Sequence, residues 1–242
     1  MKTNYENCLA ITLKWEGGDV NNPADPGGKT RWGVTQATYD AWRVSQKLAK
    51  KSVFVMTKTE MLAIYKANYW DAVSGDTLAV GVDLVTWDYG VNSGPARAKK
   101  TLLSVVGGTA VQTIQKLSAK RLSFLKGLTT FKTFGKGWSS RVADVEARAV
   151  KMALGSSQAT KGALLAEADK AAGKASLKTK AAGTTGAASA ASTTVPHNVD
   201  QYLSWGILGL IAVGVSVAVY LTWKARHDKE RAAAYTRVAE EV

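Results

Sequence analysis

The sequence predicts an all-α protein with a small turn and hairpin lobe, followed by one C-terminal transmembrane helix. Three observations carry this. Apolar residues recur at helical spacing through most of residues 1–154, Pro and Gly concentrate in Asn21–Val34, and the 23 residues Gln201–Trp223 hold no charge. At 242 residues, 46% hydrophobic and 21% charged, the chain has room for one large domain or two small ones and is not disordered in bulk. Its one cysteine, Cys8, excludes an internal disulfide and a Cys-rich metal cage. Its two histidines, His197 and His227, fall outside the expected domain, so zinc hydrolases and Ser-His-Asp or Cys-His catalysis in their usual forms are excluded. Neither a metal nor a cofactor is expected, and chemistry falls to carboxylates, lysines, hydroxyls or the backbone.

The first helix is marked by Tyr5, Cys8, Leu9, Thr12 and Trp15, with Thr3 and Glu6 spaced as a capping box and Gly17-Gly18 as its stop. Turns or a short hairpin follow through Val34. Thr57 and Glu60 open a second helix that carries Met61, Ile64 and Tyr65. A third runs near Val82–Val91 and breaks at Asn92-Ser93-Gly94-Pro95. Another starts near Ala96 and ends before Gly107-Gly108, a long one covers about Val111–Leu128, and the last follows Trp138.

Residues 155–200 read as a tether rich in Ala, Gly, Ser, Thr and Lys. Its first half is helical by propensity, and its second half, GTTGAASAASTTVP, has too little apolar bulk to pack. The uncharged run over residues 201–223 is about 34 Å long as a helix, enough to cross a bilayer. Tyr202, Trp205, Tyr220 and Trp223 stand near its ends like interfacial anchors. Lys224, Arg226, Lys229 and Arg231 follow it, and no Lys or Arg lies between 181 and 223. The positive-inside rule then places the tail, residues 224–242, in the cytoplasm and the head across the inner membrane. Nothing at the N-terminus reads as a signal peptide, so the route of the head stays open: direct insertion, a signal-anchor role for the span, or release through a membrane lesion. Gly214 and Ala218 have small-x-x-x-small spacing, which permits a homo-oligomer through the span.

Lys and Arg total 32 against 19 Asp and Glu, a net charge of +13. Residues 101–150 hold only Asp144 and Glu146 against eight basic residues. Such a surface favours polyanions. With no zinc finger, RNA-binding aromatic motif or heptad basic region, a wall or membrane is the better partner and nucleic acid is not expected.

The segment WEGGDVNNPADPGGKTRWGVTQATY, Trp15–Tyr39, concentrates the chemistry. Glu16 is expected in the last turn of the first helix, facing the negative end of its dipole beside Trp15. Both effects would raise its pKa, as a general acid requires. Asp25 follows in a turn where it either stays ionised or simply opens the turn by bonding its own backbone. With Thr30 the order outlines an acid plus a water-positioning pair.

The run EGG-x-x-N-x-P-x-D-P-G-G-x-T-x-x-G-V-T resembles the N-terminal signature of glycoside hydrolase family 108, bacterial and phage lysozymes that cut peptidoglycan. TKTEMLAIYKANYWD, ending in Tyr69-Trp70, and VDLVTWDYGVNSGPARAKK, with Asp88, Asn92 and Gly94, resemble two later family segments. The resemblance covers roughly residues 5–106, and more weakly residues 134–142. It implies a lysozyme-like head over 1–154, with Glu16 as the catalytic glutamate and Asp25 and Thr30 in the family's Glu, Asp, Thr order. Two departures stand out. LLSVVGGTAVQTIQKL is a compressed form of the family's wall-binding region without its Asp, and Asp19 replaces the aromatic that usually follows EGG.

Trp32 and Tyr39 are candidate cleft walls. Trp70 is a sugar platform or a core residue, and Asn92 either bonds an N-acetyl group or caps the next helix. Tyr69 and Asp88 read as structural. The resemblance implies a muramidase acting on the β-1,4 bond between N-acetylmuramic acid and N-acetylglucosamine, in phage lysis or wall penetration. The alternatives are a lytic transglycosylase, a non-catalytic wall-binding membrane protein, and a basic membrane-disrupting protein.

Overall fold

The computed structural model describes residues 4–16, 20–21, 29–191 and 201–242, apart from the side chains of 20–21, 186–191, 201–211 and 214. Two compact units divide the chain: residues 1–135 with 148–154, and residues 136–147 with 155–242.

The first unit opens with α1 (Tyr5–Leu13), N-capped by Asn4; Thr3 lies outside the described residues. A three-stranded antiparallel sheet follows in the order β1 (Val20–Asn21), β2 (Lys29–Arg31), β3 (Val34–Thr35), with Thr30 opposite both Val20 and Thr35. This is the hairpin lobe the sequence predicts. Helix α2 (Gln36–Ser45) leaves β3 directly, because the Thr35 hydroxyl accepts the Thr38 N–H at 3.2 Å. This helix is not among the expected elements.

Helix α3 (Lys58–Tyr65) starts at the predicted capping box: the Thr57 hydroxyl accepts from the Glu60 N–H and the Glu60 carboxylate accepts from the Thr57 N–H. A five-residue π-helical turn, Lys66–Trp70, continues it. Then come α4 (Val82–Ser93), α5 (Pro95–Leu103), α6 (Ala110–Lys126) and α7 (Phe131–Leu154), which contributes both of its ends to this unit. Gly94, at φ +91, turns the chain between α4 and α5, and Pro95 enters α5 where its missing N–H costs nothing.

Helix α4 organises the core. Every residue from Val82 to Gly90 is buried, the signature of a helix packed on all sides. Trp87 meets Tyr5, Tyr65 and Trp70 edge to face, at centroid distances of 6.0, 6.3 and 5.8 Å. Two polar ties bind α1 to α4. The Asn4 amide donates to Asp83 at 2.9 Å, and the Thr12 hydroxyl donates to Asp88 at 2.9 Å. Sequence numbers rise together along both helices, so they run parallel.

The second unit comprises the middle of α7, α8 (Gln158–Ala191) and α9 (Gln201–Glu240), with α8 and α9 packed along each other. The tether expected over 155–200 therefore holds a long helix. Ala168, Ala171, Ala175 and Ala182 form a buried small-residue stripe on α8, and alanine is the strongest helix former. The helix runs on through Gly183–Ala191, where a mobile coil is expected, and residues 192–200 lie outside the described residues.

The transmembrane expectation is corrected here. Among the described residues no helix is long and apolar enough to cross a membrane. The uncharged run does not end as a helix at Trp223. It continues without a break into a charged stretch reaching Glu240, so α9 is not an apolar rod bounded by two interfaces. That stretch is packed: Tyr235, Val238 and Ala239 are buried. Arg231 forks onto one oxygen of Glu146 at 3.1 and 2.5 Å, Tyr235 donates to the same oxygen at 2.9 Å, and Arg237 pairs with Asp144 at 3.0 Å. Lys178 of α8 pairs with Asp228 of α9. Apart from the small sheet, the described elements are helical.

Candidate active site

Chain direction puts Glu16 three residues past the end of α1, in a turn closed by the Trp15 N–H to the Thr12 carbonyl at 2.9 Å. It is half-buried and lies just beyond the helix rather than in its last turn. The β2–β3 hairpin supplies the opposing surface. Arg31 pairs with Val34, leaving Trp32 and Gly33 as a two-residue loop with φ of +48 and +75. Two positive φ values in succession make a type I′ turn, whose twist suits tight hairpins. Gly33 belongs there, but a tryptophan in the left-handed region is uncommon and costs about 1–3 kcal/mol.

Contacts at the hairpin tip explain why the strain persists. A Cβ on Gly33 would lie 3.1 Å from Glu16 Oε2 and would collide with the Tyr65 hydroxyl. The bare glycine is thus the floor on which the Glu16 carboxylate rests. Tyr65, from the last position of α3, donates its hydroxyl to the Trp32 carbonyl at 2.8 Å and holds the tip down. The Arg31 guanidinium covers the Trp32 ring at 4.2 Å.

The π-helical turn completes this wall. Its closing bond runs from the Asp71 N–H to the Lys66 carbonyl at 2.9 Å. The turn leaves Tyr69 half-exposed beside Tyr65, ring centroids 5.6 Å apart, while Trp70 is fully buried. Burial raises the Tyr69 phenol pKa, and the negative charge of Glu16 raises it further. π turns of this kind recur at functional sites.

A buried ion pair ties α6 to α4. Arg121 of α6 donates to Asp88 at 2.6 Å, with both side chains almost wholly excluded from solvent. Its second terminal nitrogen donates to Asn92 Oδ1 at 3.3 Å, and the Ser93 hydroxyl donates to that oxygen at 3.1 Å. Among the described residues no cluster of three or more His, Cys, Asp or Glu is gathered for a metal ion.

The family model for glycosyl hydrolase 108 matches residues 9–94. Among solved structures the chain is similar to Brucella abortus SagA, with 41% identity, a TM-score of 0.56, and coverage of 63% of this chain and 97% of that one. The chain belongs to the glycosyl hydrolase 108 family. Comparison with curated proteins gives no match. The family match contains Glu16, the hairpin, Tyr65, Tyr69, Asp88 and Asn92, whereas Arg121 falls beyond its end.

Within this glycosyl hydrolase 108 domain, the predicted site residues separate. Glu16 and Trp32 come together at the hairpin tip. Thr30 is central in β2, two residues before Trp32, and half-buried. Asp25 lies outside the described residues, as does Asp19. Asn92 is half-buried at the end of α4 and bonded to Arg121 rather than capping α5 with its side chain.

Tyr39, expected as a cleft wall, is a core residue, and of the two readings of Trp70, sugar platform or core, the structure has the core. Tyr39 is fully buried and donates to Glu60 at 2.9 Å, and Trp70 is fully buried with its indole N–H on Asp76 at 2.9 Å. Both have the polar tip satisfied inside the protein, so no face is left for a sugar ring. Sequence reasoning missed Gly33, Tyr65 and Arg121. Only Arg121 left a clear trace, as a charged residue on the α6 stripe of Ile114, Leu117, Leu122 and Leu125, all buried.

Proposed function

We propose that this glycoside hydrolase is a peptidoglycan-degrading muramidase that hydrolyses the β-1,4 bond between N-acetylmuramic acid and N-acetylglucosamine. The observation that carries the reading is the seating of Glu16 on the side-chain-free hairpin tip, within the segment that matches the family. A carboxyl group fixed at the rim of a turn can donate its proton to a glycosidic oxygen without first reorganising. Glu16 in its acid form protonates the leaving oxygen, and the sugar develops oxocarbenium character. Thr30 and Asp25 take the role of positioning water in this reading. The net charge of +13 concentrates the enzyme on an anionic envelope. Phage lysis or wall penetration is the setting that suits such an activity.

Turbidity clearing of purified sacculi by the full chain tests this. Glu16→Gln keeps the shape and hydrogen bonding of the side chain but removes the proton, so clearing should fall by about 10²-fold or more. Mass spectrometry of the released muropeptides then identifies the reaction. Reducing ends indicate hydrolysis, whereas 1,6-anhydro ends would replace the muramidase reading with a lytic transglycosylase. Undiminished clearing by the glutamine variant would remove Glu16 from the chemistry altogether.

A further inference from the structure

The Tyr65 hydroxyl donates to the Trp32 carbonyl at 2.8 Å. That carbonyl belongs to the peptide bond joining Trp32 to Gly33, and the Gly33 α-carbon lies in the same rigid plane. No soft torsion separates the oxygen that Tyr65 holds from the α-carbon against which Glu16 rests. The crowding at Gly33 shows how closely the three residues meet. A single Cβ built there would collide with the Tyr65 oxygen and stand 3.1 Å from Glu16 Oε2.

Tyr65 is a fixed post. Its side chain is fully buried, and its ring meets Trp87 edge to face at 6.3 Å and Tyr69 at 5.6 Å. Phenylalanine would make the same ring contacts, so packing alone asks for no hydroxyl at this point. The hairpin tip, by contrast, needs a restraint. Trp32 and Gly33 both have positive φ, and tryptophan is strained there. A strained turn relaxes once its restraint is removed, and the peptide free to turn is the one beneath Glu16.

The geometry points to Tyr65 as a positioning residue for the reaction, its hydroxyl acting through the rigid Trp32–Gly33 peptide to fix the Glu16 carboxyl where it delivers its proton. This rests on Glu16 as the acid of the proposed function and adds the group that holds it in place. Tyr65 is buried, so it acts on the reaction through Glu16 rather than by touching a sugar. A displacement of about 1 Å at a reacting group costs about 10²-fold in rate. The hydroxyl therefore weighs on turnover and not on binding.

The test takes initial rates of sacculus clearing by the full chain at rising substrate concentration, with Tm measured on the same samples. Tyr65→Phe should lower kcat about tenfold or more, leave KM within about twofold, and lower Tm by no more than about 4 °C, the scale of one buried hydrogen bond. Gly33→Ala should also lower kcat, because its Cβ meets the Tyr65 oxygen and crowds Glu16. The double variant separates positioning from general damage. Loss of the hydroxyl removes the collision, so Tyr65→Phe with Gly33→Ala should be no slower than the slower single variant, within about twofold. Residues that work as one device share a loss, whereas unrelated faults multiply.

Tyr65→Phe with the wild-type kcat overturns the inference. So does a loss confined to KM, or a double variant whose losses multiply. A Tm fall beyond about 4 °C also overturns it, since the hydroxyl then serves the fold. Glu16→Gln, run beside these variants, keeps the two readings apart: loss of clearing there upholds the acid whatever Tyr65→Phe does. Undiminished clearing by Glu16→Gln removes the acid and this inference with it.

Discussion

Trp32 carries the clearest conflict between local preference and place. Its left-handed backbone would suit asparagine, and its side chain lies under Arg31 at the edge of the Glu16 floor. Trp32→Asn should relax the turn and raise stability by about 0.5–1 kcal/mol, seen as a small rise in Tm, while clearing activity falls. A variant that gains stability and keeps full activity would deny the strain any use. The half-buried Glu60 and the buried Asp83 should show opposite pH signatures. Burial alone would raise the pKa of Glu60, but the Thr57 N–H and hydroxyl, the Tyr39 hydroxyl and Arg43 outweigh it and hold it below its usual 4.5. Its stabilising contribution is therefore present above 4.5 and is lost as pH falls through the lowered value. Asp83 is shifted upward by burial, despite N–H bonds from Gly81 and Leu84 and the Asn4 amide. Its contribution is present below its usual 3.8 and drains away as pH rises through the raised value. Denaturant melts from pH 3 to 7 should show wild type pulling ahead of Glu60→Gln as pH rises, and losing ground to Asp83→Asn over the same range.

At the scale of elements, what could be read from the chain was whatever local chemistry writes down. The Thr57 and Glu60 box, the Gly94-Pro95 break and the stripes of α6 announce themselves through spacing, and the structure has them. Thr57→Ala should cost about 1 kcal/mol in urea unfolding, since it leaves the first turn of α3 with an unmet N–H. Helix α2 escaped notice because its start hides at the end of a strand: Thr35 pairs with Thr30 and caps α2 at once. The π-helical turn has no sequence signature at all, yet it decides that Tyr69 meets the site and Trp70 the core. Glu16 was legible from the motif. Its floor and the Tyr65 clasp were not, because they join residues 16, 33 and 65 through space alone.

For the whole molecule, the boundary expected at residue 154 meets a real helix end, with Gly155 at φ +77. The middle of α7 nevertheless belongs with α8 and α9. Val142, Val145 and Glu146 are buried, and burial raises the pKa of Glu146 in spite of Arg231 and Tyr235. A chain cut after residue 154 strips those partners away. It should melt several degrees below the full chain and expose an apolar stripe along α7, which calorimetry and light scattering would register. An equal Tm would show that the second unit adds nothing to the first.

The Arg121 fork has a consequence for anyone seeking the smallest working piece. A fragment trimmed to residues 9–94 would keep every letter of the signature and still lose the guanidinium that pairs with Asp88. A transplant of this chemistry to a new scaffold has to bring α6 along as its counterweight.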